Sequence, residues 1–162
     1  MNPVQGEILV IDGDERARAL IGQILAEQGF AVTAVGDGSA ALRRIEAKPF
    51  ALAVAETQLP GPLDGTTTIR QARTRQPGIK CLFTSEFAPA APCNNVALED
   101  FITKPFHRRD LVGCVFELLQ RDAAAGGVVA ADSECSQTVS WPSPSHLRVD
   151  RAAMVARYFP TD

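Results

Sequence analysis

The 162 residues predict an α/β fold: a doubly wound, five-stranded parallel sheet with helices on both faces. Three observations carry that prediction. Short apolar runs alternate with helix-period segments from residue 7 to about 121. Most of the runs are continuous rather than alternating, as strands covered on both faces require. The segments between them can serve as the crossovers that parallel strands need.

The first strand is "EILVI" (7–11). Asp14 can cap the helix after it, in which Ala17, Leu20, Ile21, Ile24 and Leu25 recur at helical spacing until Gly29 stops it. "FAVTAV" (30–35) is the second strand, and "DGSAALRRIEA" gives a short helix capped near Ser39 that buries Leu42 and Ile45. "FALAVAE" (50–56) is the third strand. A helix over about 66–75 has only Ile69 and Ala72 as apolar anchors. "IKCLFTS" (79–85) and "DFITK" (100–104) are the fourth and fifth strands. A last helix over about 108–121 carries Leu111, Val112, Val115, Leu118 and Leu119 on one face.

One step breaks the rhythm. Between the fourth and fifth strands Pro89 and Pro92 each remove a backbone donor and restrict the residue before them. A fourth helix is therefore expected to be shortened or disrupted, with at most one or two turns around Asn95 to Leu98. Residues 1–121 form the domain on this reading, and 122–146 an Ala/Gly/Ser/Pro-rich flexible linker. The segment 147–162 regains pattern through Leu147, Met154, Val155, Tyr158 and Phe159, and is either a weakly ordered terminus or a short docking helix.

Composition narrows the function. Apolar residues are 46% and charged residues 22%, as in ordinary globular proteins. A net charge of -3 argues against a sequence-independent grip on nucleic acid or anionic lipid, and no apolar run is long enough to span a membrane. The N-terminus turns acidic too early for a secretory signal, which places the chain in the cytoplasm. Cys81, Cys93, Cys114 and Cys135 lack metal or redox spacing and read as reduced packing thiols. His107 reads as a solvated first-turn residue, and His146 as a structural or idle one.

Open parallel sheets gather ligands beyond the carboxyl ends of their strands, where strand order reverses. Those ends carry Asp12, Gly13 and Asp14, then Glu56, then Thr84 and Ser85, then Lys104 and Pro105. Carboxylates, hydroxyls and an ammonium thus converge from four segments.

Through "ILVIDGDERARALI", "LPGPLDG", "LFTS" and "DFITKPF", in that order, residues 7 to about 121 resemble the receiver domain of bacterial two-component response regulators. The resemblance implies a flavodoxin-like sheet of order 2-1-3-4-5. It also implies a phosphoacceptor position at Glu56 and a phosphoryl and switch set of Thr84, Phe101, Lys104 and Pro105, the last after a cis peptide bond. Asp12 and the Gln58 carbonyl match family ligands of Mg²⁺, and Asp14 is a further candidate that otherwise caps the first helix. Two positions and one loop length depart from the family. Gly13 replaces the second metal-binding acid, Glu56 replaces the acceptor aspartate, and the "PGPLDG" loop is one residue longer.

Mg²⁺ prefers near-octahedral oxygen coordination, so losing the acid at position 13 implies weak binding at best, and no other cofactor is expected. Glutamate moves the carboxylate outward by about 1.5 Å, and a misplacement of about 1 Å can cost phosphoryl transfer roughly a hundredfold. The longer arm can instead reach Thr84 and Lys104 and imitate the phosphoryl group in part. The expected function is an atypical, non-enzymatic receiver that binds a protein partner: a histidine kinase, a phosphotransfer protein or an output protein. Self-association into a homodimer stays open. The alternatives are a working phosphoreceiver using Mg²⁺, or a metal-dependent phosphate-handling enzyme. The latter lacks a Gly-rich phosphate loop.

Overall fold

The computed structural model describes residues 6–87 and 97–121. In chain order these form β1 (Glu7–Ile11), α1 (Glu15–Glu27), β2 (Ala31–Val35), α2 (Gly38–Ala47), β3 (Leu52–Glu56), α3 (Gly65–Arg75), β4 (Lys80–Ser85), β5 (Glu99–Thr103) and α4 (Arg108–Gln120). The strands make one parallel sheet of order β2-β1-β3-β4-β5. The expected disruption of a helix between β4 and β5 falls mainly on 88–96, outside the described residues. So do the proposed linker, the C-terminal segment, Cys93, Cys135 and His146.

The continuous apolar runs have the predicted cause. Alternate residues of each central strand enter different cores. Ile8, Val10, Leu52, Val54, Leu82 and Ile102 pack under α1 and α4. Leu9, Ile11, Ala53, Ala55, Cys81 and Phe83 pack under α2 and α3 on the opposite face. Cys81 and Cys114 are buried within these two cores and form no disulfide. β2 lies at the sheet's edge and buries only Val35.

Local sequence sets the helix starts. Asp14 caps α1 by accepting from the Arg16 N–H, and Gly29, at φ 92°, provides the left-handed turn that ends it. α2 is capped by Asp37, whose side chain accepts from the Ala40 N–H, and not by Ser39, which falls inside the helix. Ile45 is buried as expected, but Leu42 only partly. Leu20 is 56% exposed, against expectation, because it sits at the margin of the stripe centred on Ile21, Ile24 and Leu25. α3 begins one residue early, capped by Asp64. α4 has His107 at its cap position without a side-chain bond, so that residue is a boundary and not an anchor.

The far end of α4 is clamped to the sheet. Lys80, the first residue of β4, donates to the carbonyl oxygens of Leu119 at 3.0 Å and Arg121 at 2.5 Å. Arg121 in turn donates to the Glu99 carbonyl at 3.2 Å and pairs with Asp100 at 2.9 Å and Glu117 at 3.1 Å. Arg73 pairs with Glu99, so both acids at the start of β5 are buried with partners.

Candidate functional site

The alternation that builds the cores also builds the site. Glu56 and Thr84 are register partners, and Thr84 and Ile102 are partners in turn. All three continue the face of the sheet that holds Val54 and Leu82. Asp12 and Lys104 extend β1 and β5 by the same period of two. β1 pairs with β2 on one side and β3 on the other, so Asp12 and Glu56 flank the place where strand order reverses.

Lys104 bridges the two carboxylates. Its ammonium lies 2.8 Å from Asp12 Oδ2 and 3.1 Å from Glu56 Oε1. Asp12 is 1% exposed, so its charge depends on these contacts and on the Asp14 N–H, which donates to Oδ1 at 2.8 Å. Burial pulls the Lys104 pKa down, but the hydrogen bonds to Asp12 and Glu56 outweigh it and hold the ammonium above the ordinary lysine value. The second oxygen of Glu56, Oε2, accepts from the Gly13 N–H at 3.3 Å.

Thr84 corrects one expectation. Glu56 does not reach its hydroxyl: Thr84 Oγ1 is fully buried and finds no hydrogen-bond partner among the described residues. An ammonium and an N–H, from Lys104 and Gly13, take the carboxylate instead. Ser85, next along β4, accepts the Lys104 N–H through its carbonyl at 2.7 Å. The Lys104–Pro105 peptide is cis. Phe101 is partly buried and packs on the α2/α3 core.

Of the groups proposed for Mg²⁺, the two acids are engaged in other bonds. Both Asp12 oxygens are bonded, one to Lys104 and one to the Asp14 N–H. The Asp14 carboxylate caps α1 through Oδ1 at 2.8 Å, and Gln58, proposed through its carbonyl, lies in the loop after β3. No group of three or more His, Cys, Asp or Glu is arranged to hold a metal among the described residues.

Three contributors carried no readable signal. Arg18 Nη1 donates to the Asp12 carbonyl at 2.7 Å, a bond to backbone that no residue pattern announces. Gly36 makes room for it, since a Cβ there would lie 2.9 Å from that same nitrogen. Gly65 opens α3 beneath Glu56, and a Cβ would overlap the Glu56 carbonyl oxygen. The glycine stood in the quoted loop motif, but its steric role needed the fold.

Comparison with known proteins agrees with this architecture. The family model for the response regulator receiver domain matches residues 8–116. The response regulator receiver protein CpdR of Brucella abortus is 30% identical over 115 residues, covering 69% of this chain and 95% of CpdR. Protein PetR of Rhodobacter capsulatus is 31% identical over 116 residues, covering 70% of this chain but 48% of PetR, so the chain spans about half of that relative. Among solved structures, a CheY-like receiver domain protein from Methanospirillum hungatei superposes with a TM-score of 0.64 at 26% identity, over 74% of this chain and 98% of the other. No described helix is long and apolar enough to cross a membrane.

Proposed function

The chain belongs to the response regulator receiver family, and we propose that within it this protein is an atypical receiver whose state is not set by phosphoryl transfer. It acts as a protein–protein interaction module in two-component signalling, with a histidine kinase, a phosphotransfer protein or an output protein as partner.

The observation that carries this reading is the seat of Glu56. Both carboxylate oxygens are bonded, Oε1 to the Lys104 ammonium and Oε2 to the Gly13 N–H. An acceptor oxygen needs a free lone pair in line with the incoming phosphorus, and a nearby cation to balance the developing charge. Glu56 is poorly placed for this: each oxygen already has a donor, Lys104 on Oε1 and the Gly13 N–H on Oε2, and Gly13 supplies no carboxylate to hold Mg²⁺. What Glu56 does supply is a fixed anion beside Lys104, a permanent but partial stand-in for the phosphoryl charge.

Incubation of the full chain with acetyl phosphate and Mg²⁺, followed by intact-mass measurement, tests the proposal. The expected result is an unchanged mass, with a partner captured equally before and after the treatment. A stoichiometric phosphoryl adduct on Glu56 overturns it.

A further inference from the structure

Charge is unevenly spread over this fold. Residues 37–48 and 64–75, which hold α2 and α3 with their caps, carry six of the 16 Lys and Arg but only three of the 19 acids. Those three acids are committed: Asp37 and Asp64 cap the helix starts, and Glu46 pairs with Arg75. Lys48 and Arg73 also have partners, Glu7 and Glu99. Arg43, Arg44 and Arg70 are exposed and form no ion pair among the described residues. Arg44, Arg73 and Arg75 lie in last turns, where a cation complements the helix dipole, but Arg43 and Arg70 have no such duty. The Glu46–Arg75 pair joins the two helices, so their exposed arginines share one surface. Thr66, Gln71 and Thr74, also exposed, keep it polar.

The chain leaves the domain at the end of the sheet where these two helices finish. Gln76, at the end of α3, donates to the Lys48 carbonyl and accepts from the Phe50 N–H, both at 3.1 Å. Lys80, a few residues on, binds the Arg121 carbonyl at the end of α4. Beyond Arg121, residues 122–147 hold Asp122, Asp132 and Glu134 and no Lys or Arg. We propose that this acidic segment docks on the α2–α3 face of its own domain, with Asp132 and Glu134 set against Arg43 and Arg70. Asp132 lies 11 residues beyond Arg121. Fully extended, that stretch spans about 36–40 Å, against a radius of gyration of about 13 Å for a domain of this size. Exposed ion pairs are individually weak, but the tether holds the acids at an effective concentration on the order of mM. The segment is thereby a built-in competitor for any acidic partner of that face.

The test uses the full chain carrying Cys93→Ser and a nitroxide on Cys135, beside Glu134, since Cys81 and Cys114 are buried. At low ionic strength the backbone amide signals around Arg43 and Arg70 should broaden, while those of Arg16 and Gln23 on α1, across the sheet, should stay sharp. Raising NaCl to about 0.5 M, where the Debye length is about 4 Å, should abolish the broadening. So should Arg43→Glu with Arg70→Glu, and so should Asp132→Asn with Glu134→Gln. Isotope-enriched chain without the nitroxide, mixed with nitroxide-bearing chain, should show no broadening. The proposal is wrong if the α2–α3 amides stay sharp at low ionic strength, if the broadening centres on α1, or if it persists in either charge variant. Broadening in the mixed sample overturns it as well, by making a second copy the source of the segment.

Discussion

Glu56 meets Lys104 at 3.1 Å across a sequence separation of 48, and the same ammonium holds Asp12 at 2.8 Å. A single cation therefore ties the ends of β1, β3 and β5 together. This bridge determines what the site can do and how it responds to substitution.

Replacing Lys104 by methionine keeps most of the stem and deletes the charge. Asp12, at 1% exposure, is then left as an uncompensated buried carboxylate. Breaking a fully buried pair costs about 3–5 kcal/mol; the Lys104 side chain is 18% exposed, so about 2–3 kcal/mol is expected by urea unfolding at neutral pH. The pH dependence has a definite sign. Because the folded pKa of Lys104 is raised, its stabilisation is complete below the ordinary lysine value of about 10.4 and is lost as pH rises through the folded value. Wild type should lose more stability between neutral and strongly alkaline pH than Lys104→Met does, and equal losses would contradict the bridge.

Glu56→Gln preserves length but not charge, and should destabilise by about 1 kcal/mol through a weakened contact to the 18%-exposed Lys104. Glu56→Asp withdraws the carboxylate by about 1.5 Å and should break the bonds to Lys104 and Gly13 together. Neither variant is expected to take a phosphoryl group from acetyl phosphate, because position 13 still lacks its acid. Intact mass and urea midpoints measured on the same samples decide both points.

Thr84→Val deletes a buried hydroxyl that has no partner among the described residues. Removing an unsatisfied polar group while keeping a β-branched shape should be neutral, or stabilising by up to about 1 kcal/mol. A loss above about 1 kcal/mol would mean that the hydroxyl is bonded in the resting protein.

Asp64→Ala removes the cap of α3, where Oδ1 accepts the Thr67 N–H at 2.7 Å. The cost should be about 1 kcal/mol. The hydrogen bonds from Thr67 hold the Asp64 pKa below its ordinary value. Its stabilisation is thus present above about pH 4 and fades as pH falls through the folded value, so the wild-type advantage should shrink in acid.

Much of this was legible in the sequence, for physical reasons. β1, β3 and β4 are buried on both faces, so apolar runs such as Ile8 to Ile11 announce them without ambiguity. Asp12, Glu56, Thr84 and Lys104 were readable because each is a polar residue at or just beyond the end of a strand. Details set by competition were not. Asp37 and Ser39 are both good caps, and only the fold shows that Asp37 reaches the Ala40 N–H. Glu56 is long enough for either Thr84 or Lys104, and reach alone could not rank a hydroxyl against an ammonium. Arg18 binds a backbone carbonyl, a relationship with no local pattern.

The clamp at the end of α4 links two distant parts of the sheet. Lys80 and Arg121 fasten that helix terminus to β4 and β5 at the pole of the sheet opposite Glu56. Arg121 is bonded to Asp100 and the Glu99 carbonyl, whose strand continues through Phe101 to Lys104. The helix exit and the ammonium thus sit at the two ends of one strand of backbone.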